Sequence, residues 1–320
     1  EICHISSKDY IGQSVSQVHR TLVGYDNLLL EDISPKECAA DADIVFLAMP
    51  HITTAKVAME LFDLDVKIID LSGDFRLESL QDYIRDYAPE HPCAERLGTF
   101  VYGMPELNAA AIKTAKHVAS PGCFATCIAM GLLPLANAGL LKGINIRTVA
   151  MTGSSGSGVK PQAGTHHAIR VNNLKAYKVL HHQHRAEIVQ TLTKAGADGI
   201  SLDFVPVSAP LARGILAISQ LDLAEQFDEA AIQQLYEEYY RQHNLVTVMK
   251  KGTSAEVVAV SGTARVEVAI TVRIDELTGQ RTLCCSSAID NLIKGGAGQA
   301  IQCFNLMTGH PAHYGLDSPG

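Results

Sequence analysis

The sequence predicts an α/β protein in two parts: a doubly wound parallel sheet, then an α+β domain with a mixed or antiparallel sheet. Within residues 1–119, short apolar β-rich runs alternate with helix-period segments, the pattern of parallel strands joined by crossover helices. Beyond about residue 140 the runs lengthen and alternate with a two-residue period, as strands with one buried face do. A length of 320 residues accommodates both parts, each with its own core.

In the first part, residues 43–48 form a β-rich run and residues 53–62 a helical stretch. Residues 66–70 form a second run, ending in the turn Leu71-Ser72-Gly73-Asp74. Pro105 starts a helix, because its fixed φ and missing N–H suit the first turn. Residues 117–119 make a last short strand. Ligands of such sheets bind at the carboxyl ends of strands, where Ala48-Met49-Pro50-His51, Ser72-Gly73 and Ser120 fall. In the second part, strands are expected at 144–151, 201–207, 215–223, 265–274 and 282–289. An amphipathic helix is expected at 227–243, a hairpin turn at Thr278-Gly279, and a returning helix over 290–307.

Apolar residues at 47% and charged residues at 19% suit a globular chain with a sizeable core. The formal charge of −8, with no long basic run, argues against a nucleic-acid partner. No apolar stretch is long and clean enough to cross a membrane. The eight cysteines form no C-x-x-C pair and no disulfide framework, which favours a reducing, cytoplasmic compartment. Cys284 and Cys285, in a strand-like run, read as core thiols.

The sharpest chemical candidate is Cys123, in Ala119-Ser120-Pro121-Gly122-Cys123-Phe124. Pro121 and Gly122 end the strand, so Cys123 falls at the start of the apolar helix that follows. Unpaired N–H groups and the positive dipole end there favour an anion, lowering a thiol's pKa and activating it as a nucleophile. A small buried core thiol is the competing reading.

His184 and Glu187, three apart in His181-His182-Gln183-His184-Arg185-Ala186-Glu187, share one helix face. A histidine titrating near neutrality suits an acid/base partner for a thiolate. The other histidines read as a solvated helix start, His181 above all. No carboxylate or thiolate stands at metal-ligand spacing from them, so no metal site is assigned. The loop Gly153-Ser154-Ser155-Gly156-Ser157-Gly158 lacks a P-loop lysine and follows the wrong part of the sheet for a dinucleotide fingerprint. Arg213, just before an apolar strand, is placed either to meet an anionic substrate group or to make an ordinary surface ion pair.

Taken together, these pieces resemble the N-acetyl-gamma-glutamyl-phosphate reductase family, within the wider group that includes aspartate-semialdehyde dehydrogenase. The matching stretches are residues 45–51, Asp70-Leu71-Ser72-Gly73-Asp74-Phe75-Arg76, Tyr102-Gly103-Met104-Pro105-Glu106-Leu107-Asn108 and Pro121-Gly122-Cys123. Further on come residues 155–158, His182-Gln183-His184 with Glu187, Arg213-Gly214-Ile215-Leu216 and residues 291–300, all in the family's order. The resemblance implies a Rossmann-like sheet and NADPH-dependent reduction of N-acetyl-glutamyl 5-phosphate to the semialdehyde, with release of phosphate, as in arginine biosynthesis. It implies Cys123 as the nucleophile that carries a thioester and His184 as the acid/base group. Ser120 (often Asn in the family), Glu187 and Arg213 are implied to bind substrate. Pro50, Ser72, Ser155, Gly156, Gly158 and Asn291 are implied to line the cofactor site.

The family begins with a strand and a Gly-rich turn that would precede Glu1, so the sheet is expected to lack its first strand and to bind NADPH poorly. In that layout residues 1–5 match the second strand, and Ser6, Ser7 and Lys8 fall at the adenosine end, where a cation suits a 2′-phosphate. The implied division is 1–119 with 290–320 for NADP, and 120–289 for substrate and dimerisation. A homodimer or homotetramer is expected, with the second sheet as the interface.

Within the same chemistry, the alternative is the lysine-pathway reductase, whose aminoadipyl phosphate rides on an acidic carrier protein. Residues 166–170 with Lys175, Lys178 and Arg185 would form its basic docking patch. A cysteine hydrolase or acyltransferase would leave the doubly wound half unexplained, and a non-catalytic nucleotide sensor would need neither Cys123 nor His184.

Overall fold

The computed structural model of the chain describes residues 1–224 and 227–316. Ile44–Leu47, Lys67–Asp70, His117–Ala119 and Val101–Tyr102 lie side by side in that spatial order, all parallel. Helix Thr53–Leu61 is the crossover between the first two, and helix Pro105–Thr114 joins Val101–Tyr102 to His117–Ala119. Ile68 and Ile69 are both fully buried, as expected of a parallel strand covered on both faces. Ile5–Ser6 and Leu30–Glu31 form a separate parallel pair, so the expected strand over residues 1–5 is reduced to its end. His4 ties that pair to the rest, with Nδ1 2.8 Å from Glu31 Oε2 and Nε2 3.1 Å from Asp41 Oδ1.

The second sheet has seven strands, in the order Val246–Val248, Val266–Ile274, Arg281–Ile289, Ile215–Leu223, Asn145–Thr152, Ser201–Ser208 and Lys175–Ala176. It is mixed: Asn145–Thr152 runs parallel to Ser201–Ser208, and Val246–Val248 runs parallel to Val266–Ile274. The other neighbours are antiparallel, including the hairpin that turns at Gly279, whose φ of 71° suits a residue without a Cβ. The parallel pair needs a crossover, and helix His184–Lys194 lies within it.

Helix Cys123–Asn137 runs through the large core, with residues 124–136 all buried. An all-round apolar sequence makes that position the stable one. Pro134 inside it has no N–H to donate to Met130 O, and the Tyr240 hydroxyl supplies the missing donor at 2.5 Å. The Tyr236 hydroxyl donates to the neighbouring Gly131 O at 2.6 Å. Both tyrosines come from helix Glu229–Tyr240, so the proline fixes how the two helices meet. Cys285 is a core thiol as expected, whereas Cys284 is only half buried.

The returning segment is a π-turn, Ile293–Ala297, followed by helix Gly298–Met307, which packs on Pro105–Thr114. Lys294 is completely buried there, donating to Glu106 Oε1 at 2.7 Å and Gln302 Oε1 at 2.6 Å. Lysine holds the Glu106 carboxyl below its ordinary range although burial pushes the other way. Removing one partner leaves a buried uncompensated charge, so Lys294→Met is expected to lower stability by about 3–5 kcal/mol. In urea unfolding, the double variant Lys294→Met/Glu106→Gln should recover much of that loss; additive losses would contradict the pairing.

No helix among the described residues is long and apolar enough to cross a membrane.

Candidate active site

Strand His117–Ala119 ends at Ser120, and Cys123 is the first residue of its helix, with extended Gly122 as an N-cap that offers no side chain. The first-turn N–H groups therefore have no side-chain acceptor from that cap. Gly122 is needed for another reason: a Cβ there would lie 2.4 Å from His184 Nε2 and 2.6 Å from Cε1. The imidazole thus rests directly on the turn that carries the nucleophile. Gly295, from the π-turn, closes the opposite approach, since its Cβ would lie 2.7 Å from Cys123 Cβ.

One carboxylate holds this arrangement. Glu187, one turn after His184, is fully buried, and its Oε1 accepts from Gly122 N at 2.7 Å and the Tyr102 hydroxyl at 2.8 Å. Its Oε2 accepts from the Tyr87 hydroxyl at 2.9 Å and lies 3.7 Å from Arg76 Nη1. Arg76 also donates through Nε to Ser120 O at 2.7 Å and through Nη2 to Leu71 O at 2.9 Å. Glu187 was expected to touch substrate; with both oxygens committed inside the protein, it is a support for the turn.

The electrostatics also depart from expectation. Burial pushes the Cys123 thiol above its ordinary pKa, against the pull of Arg76 and of the Phe124 N–H. The helix start does not win over desolvation in the free protein. Burial, then Arg76 and His51, drive His184 well below its ordinary pKa, so the ring is neutral. The Cys123 thiol and the His184 imidazole are therefore both neutral at rest. His184 Nδ1 and Ser120 Oγ are buried without a protein partner, which leaves both open to a ligand. His182 is buried and is pushed down to about 3 by burial and by His184, so it departs from the solvated reading, which the exposed His166, His167 and His181 match.

The remaining candidates fall around this centre. Ser72 is buried and committed, donating to Asp70 through its N–H and hydroxyl and accepting from Asp74 N, so it shapes the turn rather than facing a ligand. Asp74 in turn accepts from Ile52 N, Ala55 N and the Tyr83 hydroxyl. Ile52 carries a φ of 69°, a strained value for a β-branched residue, and the Asp74 bonds hold it there beside Pro50 and His51. Pro50 is exposed at one strand end, and Ser6 and Lys8 are exposed at another, with Ser7 N bonded to Glu31 O.

Across the second sheet, Ser154–Ser157 forms a short 3₁₀ turn, with Gly156 and Gly158 exposed. Asn291 is buried: Oδ1 accepts from Gly214 N at 2.6 Å and Nδ2 donates to Ser155 Oγ at 3.1 Å, which locks two loops together. Arg213 is partly exposed and paired with buried Asp290. Arg170 is buried, with Nη2 donating to Thr152 O, whereas Arg185 is partly exposed and donates through Nε to Leu202 O. The sequence reading missed Arg76, Tyr87, Tyr102 and Asp290 as site residues. Arg76 and Tyr102 lay inside quoted motifs, whereas nothing in the local pattern marked Tyr87.

Two expectations follow. Alkylation of Cys123 by iodoacetamide should keep rising through the ordinary thiol range as pH increases, because a raised pKa delays deprotonation. A plateau below neutral pH would contradict the neutral resting thiol. Glu187→Ala leaves buried donors unpaired and should cost about 3–5 kcal/mol in chemical unfolding.

The chain matches two families along its length: residues 1–115 the semialdehyde dehydrogenase NAD binding domain, and residues 123–291 the semialdehyde dehydrogenase dimerisation domain. It is 36% identical to N-acetyl-gamma-glutamyl-phosphate reductase of Pelotomaculum thermopropionicum over 320 residues, covering 100% of this chain and 91% of the relative. The same-named protein of Acinetobacter baylyi is 37% identical, with 99% and 90% covered. At 35% identity, with 99% and 89% covered, stands the [LysW]-L-2-aminoadipate/[LysW]-L-glutamate phosphate reductase of Saccharolobus solfataricus. The aspartate semialdehyde dehydrogenase of Francisella tularensis shares the fold, with a TM-score of 0.70 at 14% identity over 95% of this chain and 91% of that one. The two family matches and the full-length relatives agree, and the chain belongs to the semialdehyde dehydrogenase family, among the relatives of N-acetyl-gamma-glutamyl-phosphate reductase.

Proposed function

We propose that the protein reduces N-acetyl-glutamyl 5-phosphate to N-acetyl-glutamate 5-semialdehyde, with NADPH as reductant and phosphate as the other product. The observation that carries this reading is Cys123 at an uncapped helix start with the His184 ring packed on Gly122 beside it, the turn being bonded to Glu187. The neutral imidazole takes the thiol proton, and the sulfur attacks the acyl carbon. A C–S bond forms, the C–O bond to phosphate breaks, and the proton passes to the departing phosphate. The helix-start N–H groups and the Ser120 hydroxyl face the oxygen on which charge develops.

The residues present fit a dinucleotide: exposed Pro50 and exposed Ser6 and Lys8 mark the carboxyl ends of two strands. Ser7, Ser155, Gly156, Gly158 and Asn291 complete that site, and residues 1–119 with 290–320 form the part that holds it. When bound, NADPH supplies a hydride to the thioester carbon. Collapse of the thiohemiacetal then breaks the C–S bond to leave a thiolate, and His184 relays a second proton, taken from solvent, to the sulfur. Arg213 binds a carboxylate of the substrate.

A free small substrate is favoured over a carrier-linked one because Arg170 is turned inward, which thins the basic patch. The outer face of the second sheet joins two copies into a dimer: Val149, 43% exposed, pairs across to Val205 and Ile218 in an apolar row. The description of the matched dimerisation domain supports that choice.

In the reverse assay, phosphate-dependent NADP⁺ reduction by N-acetylglutamate semialdehyde, Cys123→Ala should lose at least about 10⁴-fold in rate. His184→Asn should lose about 10²–10⁴-fold. Persistent activity in Cys123→Ala would overturn the mechanism, and turnover of only a carrier-linked substrate would overturn the substrate. Val149→Glu should shift sedimentation from dimer to monomer; an unchanged sedimentation coefficient would remove that face as the interface.

A further inference from the structure

Asp290 follows strand Arg281–Ile289 with its carboxylate fully buried, and four hydrogen-bond donors converge on it. Oδ1 accepts from Leu292 N at 2.8 Å, Ile293 N at 2.9 Å and Arg213 Nη2 at 3.1 Å. Oδ2 accepts from Gly262 N at 2.7 Å and makes a 3.0 Å ion-pair contact with Arg213 Nε, the directional bond being the one from Nη2. The two partners are unlike: the carboxylate is walled in, whereas the Arg213 side chain is 37% exposed. The guanidinium therefore has one edge against Asp290 and part of the fork open to solvent.

The backbone beyond Arg213 is pinned as well. Gly214 has a φ of 97°, donates its N–H to Asn291 Oδ1, and would drive a Cβ to 2.2 Å from Val257 Cγ1. A long arginine side chain ordinarily loses rotamer freedom when it meets an anion, which weakens binding; here that freedom is already lost in folding.

We infer that Asp290 is the positioning residue for Arg213: it grips one edge of the guanidinium so that the other meets a substrate carboxylate, and so sets preference for an anionic substrate over a neutral one. This rests on the reading of Arg213 as the substrate's anion site. An Asp290 that only capped main-chain N–H groups would, when altered, slow every substrate alike.

The test compares kcat/KM for N-acetylglutamate 5-semialdehyde with that for its α-carboxamide analogue, in the reverse direction. Arg213→Ala should reduce the acid-to-amide ratio by about 10- to 100-fold, the worth of a charged hydrogen-bonded contact. Asp290→Asn, which keeps an acceptor but loses the charge, should reduce the ratio by at least about tenfold, because KM for the acid rises more than turnover of the amide analogue falls. The double variant should be no less selective than Arg213→Ala alone. An unchanged ratio in Asp290→Asn, with a collapsed one in Arg213→Ala, overturns the inference and leaves the Arg213 reading standing. An unchanged ratio in Arg213→Ala overturns both. Should circular dichroism show Asp290→Asn unfolded, Arg213→Lys carries the test with the Asp290 caps intact: a single ammonium cannot be gripped by one edge, so the ratio should collapse, and a wild-type ratio would overturn the inference.

Discussion

The site depends on one buried carboxylate. Glu187 gathers the Gly122 N–H, two tyrosine hydroxyls and Arg76, donors that come from separate segments of the chain. A desolvated carboxylate without such partners would be strongly unfavourable, so folding brings these segments together at one point. Because His184 sits one turn before Glu187, the same cluster sets the distance between the acid/base ring and the nucleophile turn. Gly122 and Gly295 then allow the approach that any side chain would block.

The consequence is a site that rests neutral. Desolvation outweighs both the helix start and Arg76 at Cys123, and the same burial with a nearby guanidinium keeps the proton off His184. The helix-start dipole and Arg76 are thus available for charge that develops during reaction rather than being consumed by a standing thiolate. Fixed donors of this kind stabilise a developing oxyanion without having to reorganise. The orphaned Ser120 hydroxyl lies beside this turn and has no competing protein partner.

Much of this was legible in the residues. The alternation of short runs and helical segments located three parallel strands, Ile44–Leu47, Lys67–Asp70 and His117–Ala119, but not the two-residue strands Leu30–Glu31 and Val101–Tyr102; Pro105 and Pro121-Gly122 marked helix starts that the structure keeps. The two-residue alternation found the long strands of the second sheet. The pKa direction at Cys123 was misread because a local rule, the helix dipole, competes with burial, and burial is a property of the assembled core. Glu187 and Ser72 were assigned to ligands for the same reason: sequence places a polar residue near a site but not which buried donors it must satisfy. Tyr87 and Asp290 act through contacts 100 and 77 positions away in sequence, which no local pattern records.

The most direct measurement is intact-mass analysis of the protein mixed with N-acetyl-glutamyl 5-phosphate in the absence of any reductant, followed by acid quench and peptide mapping. The account predicts a mass gain of one N-acetylglutamyl group, removed by hydroxylamine and mapped to Cys123. Phosphate release without an adduct, or an adduct on another residue, would contradict it.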